Sequence, residues 1–287
     1  MRLYVFGLCL VLQSMSVFGQ PATEIYLFDV NVKKDKVFLT NPQNITKRPG
    51  YDNQPFFHPD KPLLYYAAAD TAGRTDIMVY DCKRRTTKAF TKTAEREYSP
   101  TVTPDKRFVS CIVQRDNGVQ DVCRYPIGGG TAEVVISTLK TGYHAWYDNT
   151  TLVVFVLGEP NTLRVYDMAT GKDSVVIPNI GRSLHRVPNG NGAISFVHKQ
   201  RSDYWEIRQF VPGKPGTVLL GETPREDLAW TPDGGILISD HTKILYHAAG
   251  TPWGWQPVDI QFPGELKTIT RLAVSPKGDK IAVVMNE

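Results

Sequence analysis

Thr101-Val102-Thr103-Pro104-Asp105-Lys106 reads as the end of a strand running into a tight turn, and the chain repeats that reading along its length. Phe56-Phe57-His58-Pro59-Asp60-Lys61 and Ala229-Trp230-Thr231-Pro232-Asp233-Gly234 are close copies. Arg186-Val187-Pro188-Asn189-Gly190 and Ala273-Val274-Ser275-Pro276-Lys277-Gly278 are weaker ones. In Ala145-Trp146-Tyr147-Asp148-Asn149, Asp148 stands where the others have proline. Anchored at 59, 104, 148, 188, 232 and 276, the intervals are 45, 44, 40, 44 and 44 residues. Proline presets the backbone for the turn, and Asp, Asn or Gly tolerates its remaining positions. A fixed period of about 40 to 50 residues is the sequence sign of a propeller. Six units predict six blades.

Each unit continues the same way. After the turn comes an apolar run: Leu63 to Ala67, Phe108 to Val113, Leu152 to Val156, Ala193 to Val197, Ile236 to Ile238 and Ile281 to Val284. Such runs suit a strand buried on both faces between neighbouring blades. A third strand follows with a recurring aromatic (Tyr80, Tyr125, Tyr166 and Phe210), which is expected to be buried. The sixth unit stops at Glu287 after two strands, and Glu24 to Asp29 and Asp35 to Thr40 carry the missing third- and fourth-strand patterns. The expectation is an all-β, six-bladed β-propeller over residues 20–287, a single domain. Its last blade is closed by N-terminal strands pairing with C-terminal strands, which removes an open sheet edge.

Tyr98-Ser99-Pro100-Thr101-Val102-Thr103-Pro104-Asp105 and Leu228-Ala229-Trp230-Thr231-Pro232-Asp233-Gly234 resemble the WD40-like Pro-Asp (PD40) repeats of TolB-type propellers, whose blades carry an S-P-x-W-S-P-D-G stretch. The resemblance spans residues 20–287 and implies the propeller architecture. It suggests a role in cell-envelope complexes.

Residues 1–19 read differently: a basic start at Arg2, an apolar run from Leu3 to Leu12, and a small residue at Gly19. This is the pattern of a signal peptide cleaved before Gln20, so the chain is expected to be exported, to the periplasm or outside the cell. The apolar run is broken by Gln13 and Ser14, too short for a membrane span. The net charge of +4 gives no case for nucleic acid. Cys111 and Cys123 flank Asp116-Asn117-Gly118 symmetrically, so a hairpin there sets them opposite each other. They then either pair in an oxidising compartment or stay reduced between blades.

No G-x-S-x-G, H-E-x-x-H, P-loop or complete G-x-G-x-x-G occurs. Candidate ligand contacts therefore fall at the starts of the first strands, near the central channel: Gln54, Glu97, Tyr98, His144, Arg182, His185, Arg225, Asp227 and Arg271. His144 and His185 stand four and three residues before their anchors, so alternation should turn them to different faces. No metal, cofactor or catalytic residue is assigned. Each connection entering a first strand also carries a base, namely Lys47 and Arg48, Arg96, Lys140, Arg182, Arg225 and Lys267, interspersed with glutamates. Trp253-Gly254-Trp255 offers aromatics that either stack on a ligand or tuck into the blade.

The expected function is a non-catalytic, exported scaffold, a monomer that binds a protein partner at its loop-rich rim, with an anionic glycan or peptide as a further ligand class. The alternative is a carbohydrate-binding or metal-dependent uronate lyase-like propeller using the channel mouth.

Overall fold

The computed structural model describes residues 20–33, 36–252 and 254–287, so the signal-peptide reading and Trp253 lie outside the described residues. Among the described residues there is no helix. Six sheets form six blades around a central channel. Blade one comprises Asp52–Phe57, Leu63–Ala69, Thr75–Asp81 and Thr86–Ala89. Blade two comprises Arg96–Val102, Phe108–Gln114, Gln120–Pro126 and Glu133–Ile136. Blade three comprises Thr141–Trp146, Thr151–Val156, Thr162–Asp167 and Lys172–Pro178. Blade four comprises His185–Arg186, Ile194–Arg201, Tyr204–Phe210 and Thr217–Leu220. Blade five comprises Leu228–Trp230, Ile236–Asp240, Lys243–His247 and Gln256–Pro257.

Blade six draws on both ends of the chain. Ile269–Val274 and Lys280–Asn286 are joined by Thr23–Lys33 and Lys36–Asn44. Thr23–Lys33 pairs antiparallel with Lys280–Asn286, from Thr23 opposite Asn286 to Asp29 opposite Lys280, and so closes the ring as expected. A fifth strand was not expected. Asp259–Ile260, arriving from blade five, pairs parallel with Phe38 and Leu39, and the Gln261 N–H donates to the Leu39 carbonyl at 2.9 Å. That short strand covers part of the outer edge of blade six, a row of backbone groups that would otherwise need water.

The apolar runs after each turn are the central strands of the sheets. Leu152, Val153 and Val154 are consecutive and all fully buried, which requires cover on both faces. Each such side chain contributes about 1.5 to 3 kcal/mol of burial. The recurring aromatics Tyr80, Tyr166 and Phe210 are buried. Tyr125 is half-buried, packed against the core with its hydroxyl donating to Glu97 Oε1 at 3.1 Å.

In the turns of blades two, five and six the hydroxyl before the proline bonds an aspartate further on, and in blade one His58 takes the hydroxyl's place. Thr103 Oγ1 donates to Asp105 Oδ1 at 2.6 Å and accepts the Phe108 N–H at 3.1 Å. Thr231 bonds Asp233, Ser275 bonds Asp279, and His58 Nδ1 accepts the N–H groups of Asp60 and Lys61. A second scheme ties blades together: the Trp146 indole N–H of blade three donates to Ser110 Oγ of blade two at 2.8 Å, and Trp230 of blade five does the same to Ser195 of blade four at 2.8 Å.

Candidate functional site

The first strands of all six blades line a channel of about 660 Å³. One end is ringed by Pro59, Pro104, Pro188, Pro232 and Pro276 of the repeated turns, and the other is built by the starts of the first strands. Several of those starts are bulged. Register shifts lie between Asn53 and Phe56, Tyr98 and Thr101, Thr141 and Tyr143, and Ile269 and Arg271. In blades one and two the bulge is a left-handed residue before proline, Gln54 at φ 56° and Ser99 at φ 52°. Such a residue without glycine's freedom costs about 1 to 3 kcal/mol and is held by its surroundings. Here Gln54 Oε1 accepts the Ser99 N–H at 2.8 Å, joining the two bulges. A bulge adds one residue and re-aims the side chains around it.

The channel mouth is bridged by a charged lattice. Arg182 of blade four grips Asp227 of blade five with two bonds, Nε to Oδ1 at 3.0 Å and Nη2 to Oδ2 at 2.8 Å. Arg271 of blade six donates to the same Asp227 Oδ1 at 2.8 Å. Its other Nη donates to the Tyr143 hydroxyl at 2.9 Å, on blade three directly across the channel. Desolvation opposes the charge on Arg182, but the hydrogen bonds and charge of Asp227 outweigh it and hold its pKa above the ordinary value. Beside the lattice, Glu226 accepts the Arg182 backbone N–H at 2.9 Å and pairs with Lys199 at 3.1 Å. Tyr51 lies in the core, edge-on to Tyr98 at 6.3 Å, its phenol pushed up by burial and then by Tyr143.

Of the residues singled out in the sequence, Gln54, His144, Arg182, His185, Asp227 and Arg271 line this channel. Glu97, Tyr98 and Arg225 lie away from it. Glu97 is fully buried away from the channel, held by Thr91, Thr93 and Tyr125, because the bulge at Ser99 turns the residues before it into the blade. Burial pushes its carboxyl up to about 7, against hydrogen bonds from Thr93 and Tyr125 that pull it down. Tyr98 packs with it inside the core. Asp52, buried on blade one, is likewise raised to about 6 by burial despite its 2.5 Å ion pair with Arg48. Arg225 points outward to Asp240 at 3.1 Å and to His241, lining a separate cavity between blades four and five.

The two histidines diverge. His144 Nε2 sits 2.7 Å from Ser110 Oγ of blade two, while His185 bonds the backbone of Leu228 on blade five. Desolvation pushes both down to about 4, so each is neutral at ordinary pH. Among the described residues no three His, Cys, Asp or Glu side chains come together as a metal would require. Cys111 and Cys123 do stand opposite each other in the hairpin, as free thiols, and burial raises both, Cys123 to about 11. Several of the rim bases are matched by carboxylates: Arg48 by Asp52, Arg96 by Asp116, Arg182 by Asp227 and Arg225 by Asp240.

No protein-family model matches the chain, and no curated protein matches it. Solved structures do. A protein described as a TolB from Agrobacterium tumefaciens superposes with a TM-score of 0.69 at 14% identity, over 94% of this chain and 99% of that one. Its fold is TolB-like. TolB from Acinetobacter baumannii gives 0.59 at 13% identity, over 93% of this chain and 65% of that one. An oligogalacturonate lyase in complex with manganese gives 0.57 at 14% identity, over 88% of this chain and 83% of that one. Identities this low carry the TolB-like fold and leave function to the site itself.

Proposed function

We propose that this TolB-like propeller is an exported, non-catalytic scaffold that binds a protein partner through the rim holding the channel mouth, taking up an acidic segment there. One observation carries the reading: at the entrance to a channel of about 660 Å³, the three cations Arg182, Arg271 and Lys199 are matched by two carboxylates, Asp227 and Glu226. The surplus positive charge favours a ligand carboxylate, and the rigid ring pre-organises the donors. The lyase reading draws support from the manganese-bound neighbour alone, since His144 and His185 turn toward opposite neighbouring blades.

The test is anisotropy of a fluorescent hexaglutamate peptide titrated with the purified protein. Saturable binding that weakens with salt, and falls about tenfold or more in Arg271→Gln and Arg182→Gln, is the expected result. Binding that ignores both substitutions would overturn the assignment. Turnover of oligogalacturonate to an unsaturated product with added manganese would move the protein to the lyase class. Export is checked separately: the protein recovered outside the cytoplasm should begin at Gln20.

A further inference from the structure

The rim between blades four and five holds a second cavity, about 420 Å³, that is separate from the channel. Its volume lies within the roughly 300 to 1,000 Å³ usual for small-molecule sites. Two indoles line it, Trp205 and Trp255, together with Asp203, Glu222, Thr223 and Arg225. We propose that this cavity is a binding subsite for a neutral glycan, independent of the acidic-ligand site at the channel mouth.

Both indoles are held before any ligand arrives. The Trp205 carbonyl accepts the Thr223 N–H at 2.8 Å, and the Lys199 ammonium lies 4.4 Å from the ring centre. The Trp255 indole N–H donates to the Glu222 carbonyl at 3.5 Å, and its ring meets His247 edge to face at 5.6 Å. Glu222 itself is kept left-handed, at φ 38°. A pyranose ring presents C–H faces ringed by hydroxyls. Indoles match the faces, and carboxylates and hydroxyls at the border match the ring.

Charge selects the class of glycan. Glu222 makes no side-chain ion pair among the described residues, so its carboxylate is available to accept sugar hydroxyls, and Asp203 beside it pairs only with the exposed Arg201. The cations in reach are already committed, Arg225 to Asp240 and His241, and Lys199 to Glu226 at 3.1 Å. A uronic acid would face Glu222 and Asp203 without a free base. A cationic ligand would meet Arg225 and the Lys199 ammonium already over Trp205.

The purified chain is titrated with cellohexaose, maltohexaose and chitohexaose, followed by tryptophan fluorescence and calorimetry, with hexagalacturonate and hexalysine as charged comparisons. The expected result is saturable binding of at least one neutral hexasaccharide, weakened about tenfold or more by Trp255→Ala and by Glu222→Gln and unchanged by Lys140→Ala. Should Trp255→Ala fail to fold, Glu222→Gln on its exposed loop carries the test. No neutral binding at millimolar sugar, binding indifferent to both substitutions, or tighter binding of either charged ligand that is itself lost in Trp255→Ala would each overturn the proposal, whereas charged-ligand binding lost only in Arg271→Gln belongs to the channel mouth.

Discussion

The two ends of the channel are built on opposite plans. At the proline end, three blades carry the same turn, closed on itself by Thr103 with Asp105, Thr231 with Asp233 and Ser275 with Asp279. Most polar groups there serve their own turn, and the links between turns, Lys106 to Asp60 and Arg186 to the Tyr147 carbonyl, join one turn to the next. At the other end the blades diverge: Gln54 and Ser99 form paired bulges, Arg182 and Arg271 meet at Asp227, Tyr143 takes a bond from Arg271, and these bonds run between blades. Repetition makes the ring, and departure from repetition leaves polar groups that are satisfied only by neighbours, where a ligand can compete.

The contrast breaks most completely if the ring does not depend on its repeats. Deleting residues 21 to 40 removes two strands of blade six, and calorimetry should then show no cooperative transition; a sharp transition at the wild-type temperature would refute the closure. Trp146→Ala, at the repetitive end, removes a buried indole and its bond to Ser110. Urea titration should find a loss of about 3 to 5 kcal/mol, with hexaglutamate affinity within about twofold of wild type. Coupling of that substitution to the mouth would mean that the two ends are not separate.

A subtler test is pH. The fold keeps the Glu97 proton up to about pH 7 against an ordinary 4.5. Between those values the folded chain binds more protons than the unfolded one, so this contribution to stability is lost as pH rises through the window. His144 and His185 act oppositely: held neutral down to about 4 against an ordinary 6.5, they cost stability as pH falls through that range. Glu97→Gln removes only the first slope, so the melting temperature of the variant relative to wild type should climb from about pH 5 to about pH 7.5. A difference that stays flat would place the Glu97 titration elsewhere. The smallest effect belongs to exposed Lys140, whose change to alanine should alter stability by less than about 0.5 kcal/mol.

The ring was legible because it rests on repetition. Pro-Asp turns and apolar strands recur at a measurable interval, and the half-blade at Ile281 to Val284 announced its missing partners at Glu24 to Asp29. Asp259–Ile260 was not legible, since two residues in parallel pairing leave no periodic trace. At the site, Arg182, Asp227 and Arg271 could be placed by counting back from the turns. Glu97 and Tyr98 could not, because the extra residue at Ser99 inverts the alternation and nothing in Ser-Pro distinguishes a bulge from a straight strand. Ser110 and Ser195 escaped notice as partners of Trp146 and Trp230, though their shared place after the turn was the available signal.

The seam of blade six has a mechanical side. Thr23 lies opposite Asn286 and the Glu287 N–H donates to the Ala22 carbonyl at 3.1 Å, so the first and last rungs of the described chain sit together at one end of the pairing. Tension applied between those two ends loads the rungs one after another, as a zipper opens from its slider. Force applied across the ring from blade to blade is shared by many bonds at once. The molecule is therefore soft to being pulled apart by its own ends and stiff to being pressed upon by anything that docks on its rim.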